Sequence, residues 1–162
     1  MEMNASQFIP APKETVWAGL NDADVLRACI PGCKELEMSS PTDLSATVVA
    51  KVGPVKATFK GEVTLENLDP PNSYTITGEG KGGIAGFAKG GADVQLTEVE
   101  GGTQLDYQVN AKVGGKIAQL GSRLIDGAAK KLAAEFFDNF SKHVSGEISD
   151  PAALGGADGV GI

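Results

Sequence analysis

KIAQLGSRLIDGAAKKLAAEFFDNFSKHV, residues 116–144, is the stretch whose reading decides the fold. Ile117, Leu120, Leu124, Ala128, Leu132, Phe136 and Phe140 follow one another in steps of three and four, which lines them along one face of a helix. A helix from Lys116 to Val144 would run about 43 Å, enough to cross a whole sheet. Its first half is small and aliphatic, with Gly121, Gly127, Ala128 and Ala129. Its second half is bulky, with Phe136, Phe137 and Phe140. One end can fill a core while the other leaves room beside a sheet. That asymmetry predicts an internal pocket, and with it a binding function.

The residues upstream supply the sheet. Met3 to Ile9 reads as a first strand, and Pro12 opens a short helix to Leu20 with Val16, Trp17 and Leu20 on its inner face. A second short helix, Ala23 to Ile30, offers Val25, Leu26 and Ile30 before Pro31-Gly32 stops it. Strands follow at Lys34–Ser39, Leu44–Val52, Val55–Leu68, Tyr74–Gly80, Ala85–Glu98 and Gln104–Val113. Pro41-Thr42-Asp43, Gly53-Pro54, Asp69-Pro70-Pro71-Asn72 and Gly101-Gly102 supply turns between them. Connections this short join antiparallel neighbours. The predicted class is α+β: about seven antiparallel strands, one face covered by the long helix, and two short helices closing an end. Residues 1–144 form one domain, and the Gly/Ala-rich segment 145–162, which lacks periodicity, is predicted to be a disordered tail.

Composition removes several function classes. A net charge of -7 repels a phosphate backbone, which argues against nucleic acid as a partner. No apolar run approaches the roughly 18 residues of a membrane span. Met1-Glu2-Met3-Asn4 lacks the basic and apolar regions of a signal peptide, so the expected location is cytoplasmic. Cys29 and Cys33 read as small, semi-buried thiols rather than a redox pair or half of a metal site. The single histidine, His143, lies far along the chain, near the end of the predicted helix.

Catalytic signals are equally sparse. Gly78-Glu79-Gly80-Lys81-Gly82-Gly83 satisfies G-x-G-x-x-G, but it leads into another strand and not into the helix a dinucleotide needs. It reads better as a glycine-rich hairpin with Ile84 and Phe87 at its tip. Glu62, Glu66, Glu79, Asp93 and Glu98 fall on polar strand faces and turns. Tyr74 and Tyr107 suit cross-strand packing, and Trp17 suits docking of the first helix. No catalytic or metal-ligating set is assigned, and no cofactor is predicted. On the predicted long helix, Lys116, Arg123, Lys130, Lys131 and Lys142 outnumber Asp126, Glu135 and Asp138, a locally basic face read first as solvated, with a docking surface for anionic lipid or an acidic partner as the lesser alternative.

The predicted cavity lies between the concave face of the sheet and the first half of the long helix. Its expected lining or gate is Leu20, Leu26, Ile30, Phe59, Ile84, Phe87, Ile117, Leu120 and Leu124.

The order of elements, a strand, two short helices, six strands and a long closing helix, resembles the helix-grip fold of the START-like (SRPBCC) superfamily. Within it, an ordered set of segments resembles the G-subunit family of carbon monoxide dehydrogenase. These are Ala11-Pro12 with Val16-Trp17; Ile30-Pro31-Gly32-Cys33; Gly53-Pro54-Val55 with Phe59-Lys60-Gly61; and Gly82-Gly83 with Gly86-Phe87-Ala88-Lys89-Gly90. The last is the run from Val113 to Arg123. The resemblance implies a small accessory protein, not a catalyst, that serves a molybdenum hydroxylase and links it to the membrane and its quinone pool. It implies a hydrophobic small molecule, a quinone or a lipid, in the cavity, and peripheral contact at the inner membrane face. The tail has no basic cluster or hydrophobic anchor, which leaves a soluble carrier or a docking adaptor open. Polyketide cyclases and aromatases use the same fold for catalysis. That alternative requires Tyr74, Tyr107, Glu62 or Asp93 to point inward with a perturbed pKa. A purely structural adaptor would instead have a filled core and act through the Gly82 to Gly91 loop.

Overall fold

The computed structural model describes residues 1–146. Strand β1 (Glu2–Ile9) leads into helices α1 (Lys13–Leu20) and α2 (Ala23–Cys29). Six strands follow: β2 (Cys33–Ser40), β3 (Asp43–Val52), β4 (Val55–Asp69), β5 (Ser73–Lys81), β6 (Phe87–Val99) and β7 (Gly102–Gly114). Helix α3 (Ser122–Ser145) closes the described chain. The seven strands form one antiparallel sheet in the order β1-β7-β6-β5-β4-β3-β2. This is the expected helix-grip arrangement. The tail predicted from Ser145 lies, from residue 147 onward, outside the described residues.

Local chemistry accounts for the elements. The Asp22 carboxylate caps α2, accepting from the backbone N–H of Asp24 at 2.9 Å and of Val25 at 3.2 Å. Along β4 half-buried and exposed residues alternate from Val55 to Val63, the period expected of a sheet with one covered face. Gly32 sits where an added Cβ would fall 2.1 Å from the Val49 carbonyl oxygen, so only glycine lets the chain pass from α2 into β2 beside β3.

The long helix departs from its sequence reading. Residues Lys116–Leu120 form a separate 3-10 turn, and α3 begins only at Ser122. Gly115 at φ +80° and Gly121 at φ +91° bracket that turn in backbone conformations that interrupt a right-handed helix. Gly115 also passes so close to Gly86 that an added Cβ would meet the Gly86 Cα at 2.5 Å. The periodicity therefore spans two elements. The 24 residues of α3 extend about 36 Å.

Packing is uneven along α3. Phe137 and Phe140 are its buried side chains among the described residues, whereas Leu124 is 43% exposed. Phe140 joins Ile9, Val16 and Leu105 among the most deeply buried side chains. Asn139 donates from Nδ2 to the Cys29 carbonyl at 3.1 Å, tying α2 to α3, and Thr103 donates from Oγ1 to the Ala11 carbonyl at 2.8 Å. The C-terminal half of α3 is thus fixed to the core. Its first half rests on the sheet without burying a side chain.

Candidate functional site

A cavity of about 300 Å³ lies inside the grip. Strand alternation supplies its floor: Leu36 from β2, Leu44 and Ala46 from β3, Val63 and Leu65 from β4, Tyr74 and Ile76 from β5, Ala92 and Val94 from β6, and Leu105 and Tyr107 from β7. The register sets several of these opposite one another, as with Leu44 and Val63, Leu65 and Ile76, and Val94 and Tyr107. Leu20 from α1, with Leu26 and Ile30 from α2 and its end, closes one side. Phe136 and Phe137 roof it from α3. The cavity exists because small Ala46 and Ala92 lie on a floor that the bulky roof does not descend to fill.

Its lining carries no carboxylate, lysine or histidine. Burial pushes the Tyr74 phenol well above its ordinary range, and burial also raises Tyr107. Both are therefore neutral hydrogen-bond donors at physiological pH and neither is a base. Tyr74 meets Trp17 edge-on at 5.3 Å, and Phe136 stacks on Phe140 at 5.6 Å. These aromatic contacts hold the walls in place. Glu62 and Asp93 are exposed on the opposite face of the sheet, where Thr75 donates to Asp93 at 2.9 Å. His143 is exposed. Cys29 and Cys33 are free thiols raised by burial, which disfavours the reactive thiolate. Among the described residues no group of His, Cys, Asp and Glu is placed to hold a metal.

The predicted lining residues separate into two groups. Leu20, Leu26 and Ile30 line the cavity. Phe59, Ile84, Phe87, Ile117, Leu120 and Leu124 gather at the other end of the sheet, around the 3-10 turn Gly83–Ala85 and the start of α3. Phe59 shares the inner face with Val63 and Leu65, its ring against Gly82. Phe87 falls on the outer face, its ring over Gly114. Ile117 is buried, Leu120 and Leu124 lie beside Gly53, and Ile84 is 90% exposed. The cavity thus lies under the second half of the helix, where sequence reasoning places it under the first. Tyr74 and Tyr107, named as candidates for the catalytic alternative, do point inward, whereas the aliphatic strand residues of the floor escape that reasoning, their alternation assigning only the face.

Between the cavity and that far end the inner face is paved with small residues: Gly61, Gly78, Gly80, Ala88, Gly90 and Ala111. An added Cβ at Gly80 would meet nothing within 4 Å. Above these small residues α3 buries no side chain before Phe137.

Known proteins share this architecture. A conserved protein from Geobacillus kaustophilus matches with a TM-score of 0.85 and 32% identity over 91% of this chain and 97% of that one. The Zhui aromatase/cyclase from a Streptomyces species superposes at a TM-score of 0.62 with 11% identity, covering 94% of this chain and 98% of its own. Ara h 8.0201 does so at 0.64 with 15% identity, over 90% and 98%. These last two likenesses establish the helix-grip fold alone. No curated protein matches the chain. The family model for CoxG, the G-subunit of carbon monoxide dehydrogenase, matches residues 6–145, and the chain belongs to that family.

Proposed function

We propose that this protein is a noncatalytic accessory protein of a molybdenum hydroxylase system of the carbon monoxide dehydrogenase kind. It binds a hydrophobic small molecule, a quinone or a lipid, in its internal cavity and links the enzyme to the membrane or to an electron acceptor. The observation that carries this reading is the cavity itself: about 300 Å³, walled by aliphatic and aromatic side chains, with two neutral phenols as its ionisable groups. That volume lies at the small end of ligand sites and suits a ring headgroup. The small-residue floor beyond it offers an apolar path for an attached chain. Contact with the bilayer in this reading is peripheral, at its inner face; among the described residues no helix is long and apolar enough to cross a membrane.

The test is titration of a quinone analogue into the purified protein, with an Ala92→Phe variant alongside. Saturable binding that the variant loses while it stays folded supports the reading. Equal binding by both proteins moves the ligand out of the cavity.

A second reading, catalysis of the cyclase or aromatase kind, draws on Tyr74 and Tyr107, which line the cavity and are raised by burial. Either phenol is suited to polarise a carbonyl, but the cavity lining supplies no base to take a proton. Binding is therefore the reading that the side chains support better.

A further inference from the structure

The strand register collects cations at one end of a protein whose net charge is -7. Residues 47–60, 80–92 and 107–125 hold Lys51, Lys56, Lys60, Lys81, Lys89, Lys112, Lys116 and Arg123, and no Asp or Glu. The β3–β4 turn, the β5–β6 connection and the β7–α3 junction bring these three stretches to the same end of the sheet. All eight side chains are exposed. Among the described residues, Lys81 is the one of the eight with a carboxylate within 4.0 Å, that of Glu79.

Three lysine pairs stand directly opposite one another on neighbouring strands: Lys51 with Lys56, Lys60 with Lys81, and Lys89 with Lys112. Like charges in cross-strand register repel and destabilise a sheet. Glu79, opposite Lys89 and 4.0 Å from Lys81, offsets part of it, whereas an anionic surface would relieve the Lys51–Lys56 pair as well. Ile84 stands at the same end, 90% exposed in the short turn between Gly82 and Gly86, and Leu124 is 43% exposed. An isolated aliphatic tip among lysines is the pattern of a segment that enters the headgroup and acyl boundary of a bilayer.

We infer that this end docks on the anionic surface of a lipid bilayer, with Ile84 entering the interface and the lysines on the headgroups. A flat surface touches the basic end alone, whereas a long polyanion would also meet the acidic remainder of the chain. The inference deepens the membrane side of the proposed function. It turns the small-residue end of the sheet's inner face toward the bilayer.

Co-sedimentation of the full chain with phosphatidylcholine vesicles, with and without phosphatidylglycerol, tests it. The expected result is binding to the anionic vesicles only, weakened by salt. A Lys51→Glu/Lys56→Glu/Lys81→Glu variant should lose at least roughly tenfold in binding. Ile84→Asp should lose several-fold, and Lys13→Glu/Arg27→Glu/Lys142→Glu, with the same change in charge elsewhere, should lose much less. No binding to anionic vesicles overturns the inference, including the case in which the lysine end engages only an acidic protein. Equal losses from the two triple variants overturn it as well. Uptake of a quinone analogue in vesicle-free solution, measured on the same variants, is expected to be unchanged. Failure of that uptake in the wild type would count against the cavity reading and leave the vesicle result to stand by itself.

Discussion

Tyr107 and Phe137 bring their rings to 5.4 Å between centroids, joining β7 to α3 at the wall of the cavity. Phe140, one turn further along α3, is fully buried and stands outside the cavity lining. The two phenylalanines therefore make different predictions. Phe140→Ala removes packing on every side and is expected to cost about 4–5 kcal/mol. Phe137→Ala borders a space already empty and should cost about 3 kcal/mol while enlarging the cavity. Denaturant melts of both variants check the order, and a larger loss at Phe137 would mean that the cavity is closed in solution.

Filling the cavity should separate folding from binding. Ala92→Phe adds a ring to the floor at a position that faces empty space. In a close-packed core such a change costs about 1–3 kcal/mol. Here the space absorbs the ring, so the expected loss is under about 1 kcal/mol, with binding of apolar probes reduced at least tenfold.

Alkaline pH should expose the buried phenol. Tyr74 is raised in the folded state by desolvation, while in the unfolded chain it titrates at its ordinary value of about 10. Above that pH the unfolded chain loses a proton that the folded protein keeps, so stability falls as pH rises. The contribution of Tyr74 approaches about 1.4 kcal/mol per pH unit. Tyr74→Phe should flatten the decline by that amount, and an unchanged slope would show that the phenol is solvated.

The junction before α3 should discriminate between two glycines. Both Gly115 and Gly121 hold positive φ, at +80° and +91°. Gly121→Ala meets nothing within 4 Å and should cost only the backbone strain, about 1–3 kcal/mol. Gly115→Ala adds a clash with the Gly86 backbone and should cost more, read as a lower Tm.

Those two glycines also show where sequence reading stops. Turn residues and period-two alternation announce the strands, because each signal is local: Gly53-Pro54 can only turn, and Val55 to Val63 can only alternate. Helical period is blind to the sign of φ, so Ile117, Leu120 and Leu124 continue the stripe of α3 although Gly121 breaks the helix. The cavity is less legible still. Leu20, Leu26 and Ile30 are readable because the short helices have one inner face. The floor depends on which rows of the sheet Phe136 and Phe137 cross, a relation between distant segments that no local pattern encodes. Ile84 and Phe87 have the composition of a gate, yet their register sets them at the opposite end and, for Phe87, on the outer face.

Mass spectrometry of an organic extract of the purified protein, beside native mass spectra of the intact chain, tests the central claim most directly. The account predicts an apolar molecule, a quinone or a lipid, at close to one per chain, displaced in the Ala92→Phe variant. A protein that arrives empty and takes up no added quinone analogue would contradict it.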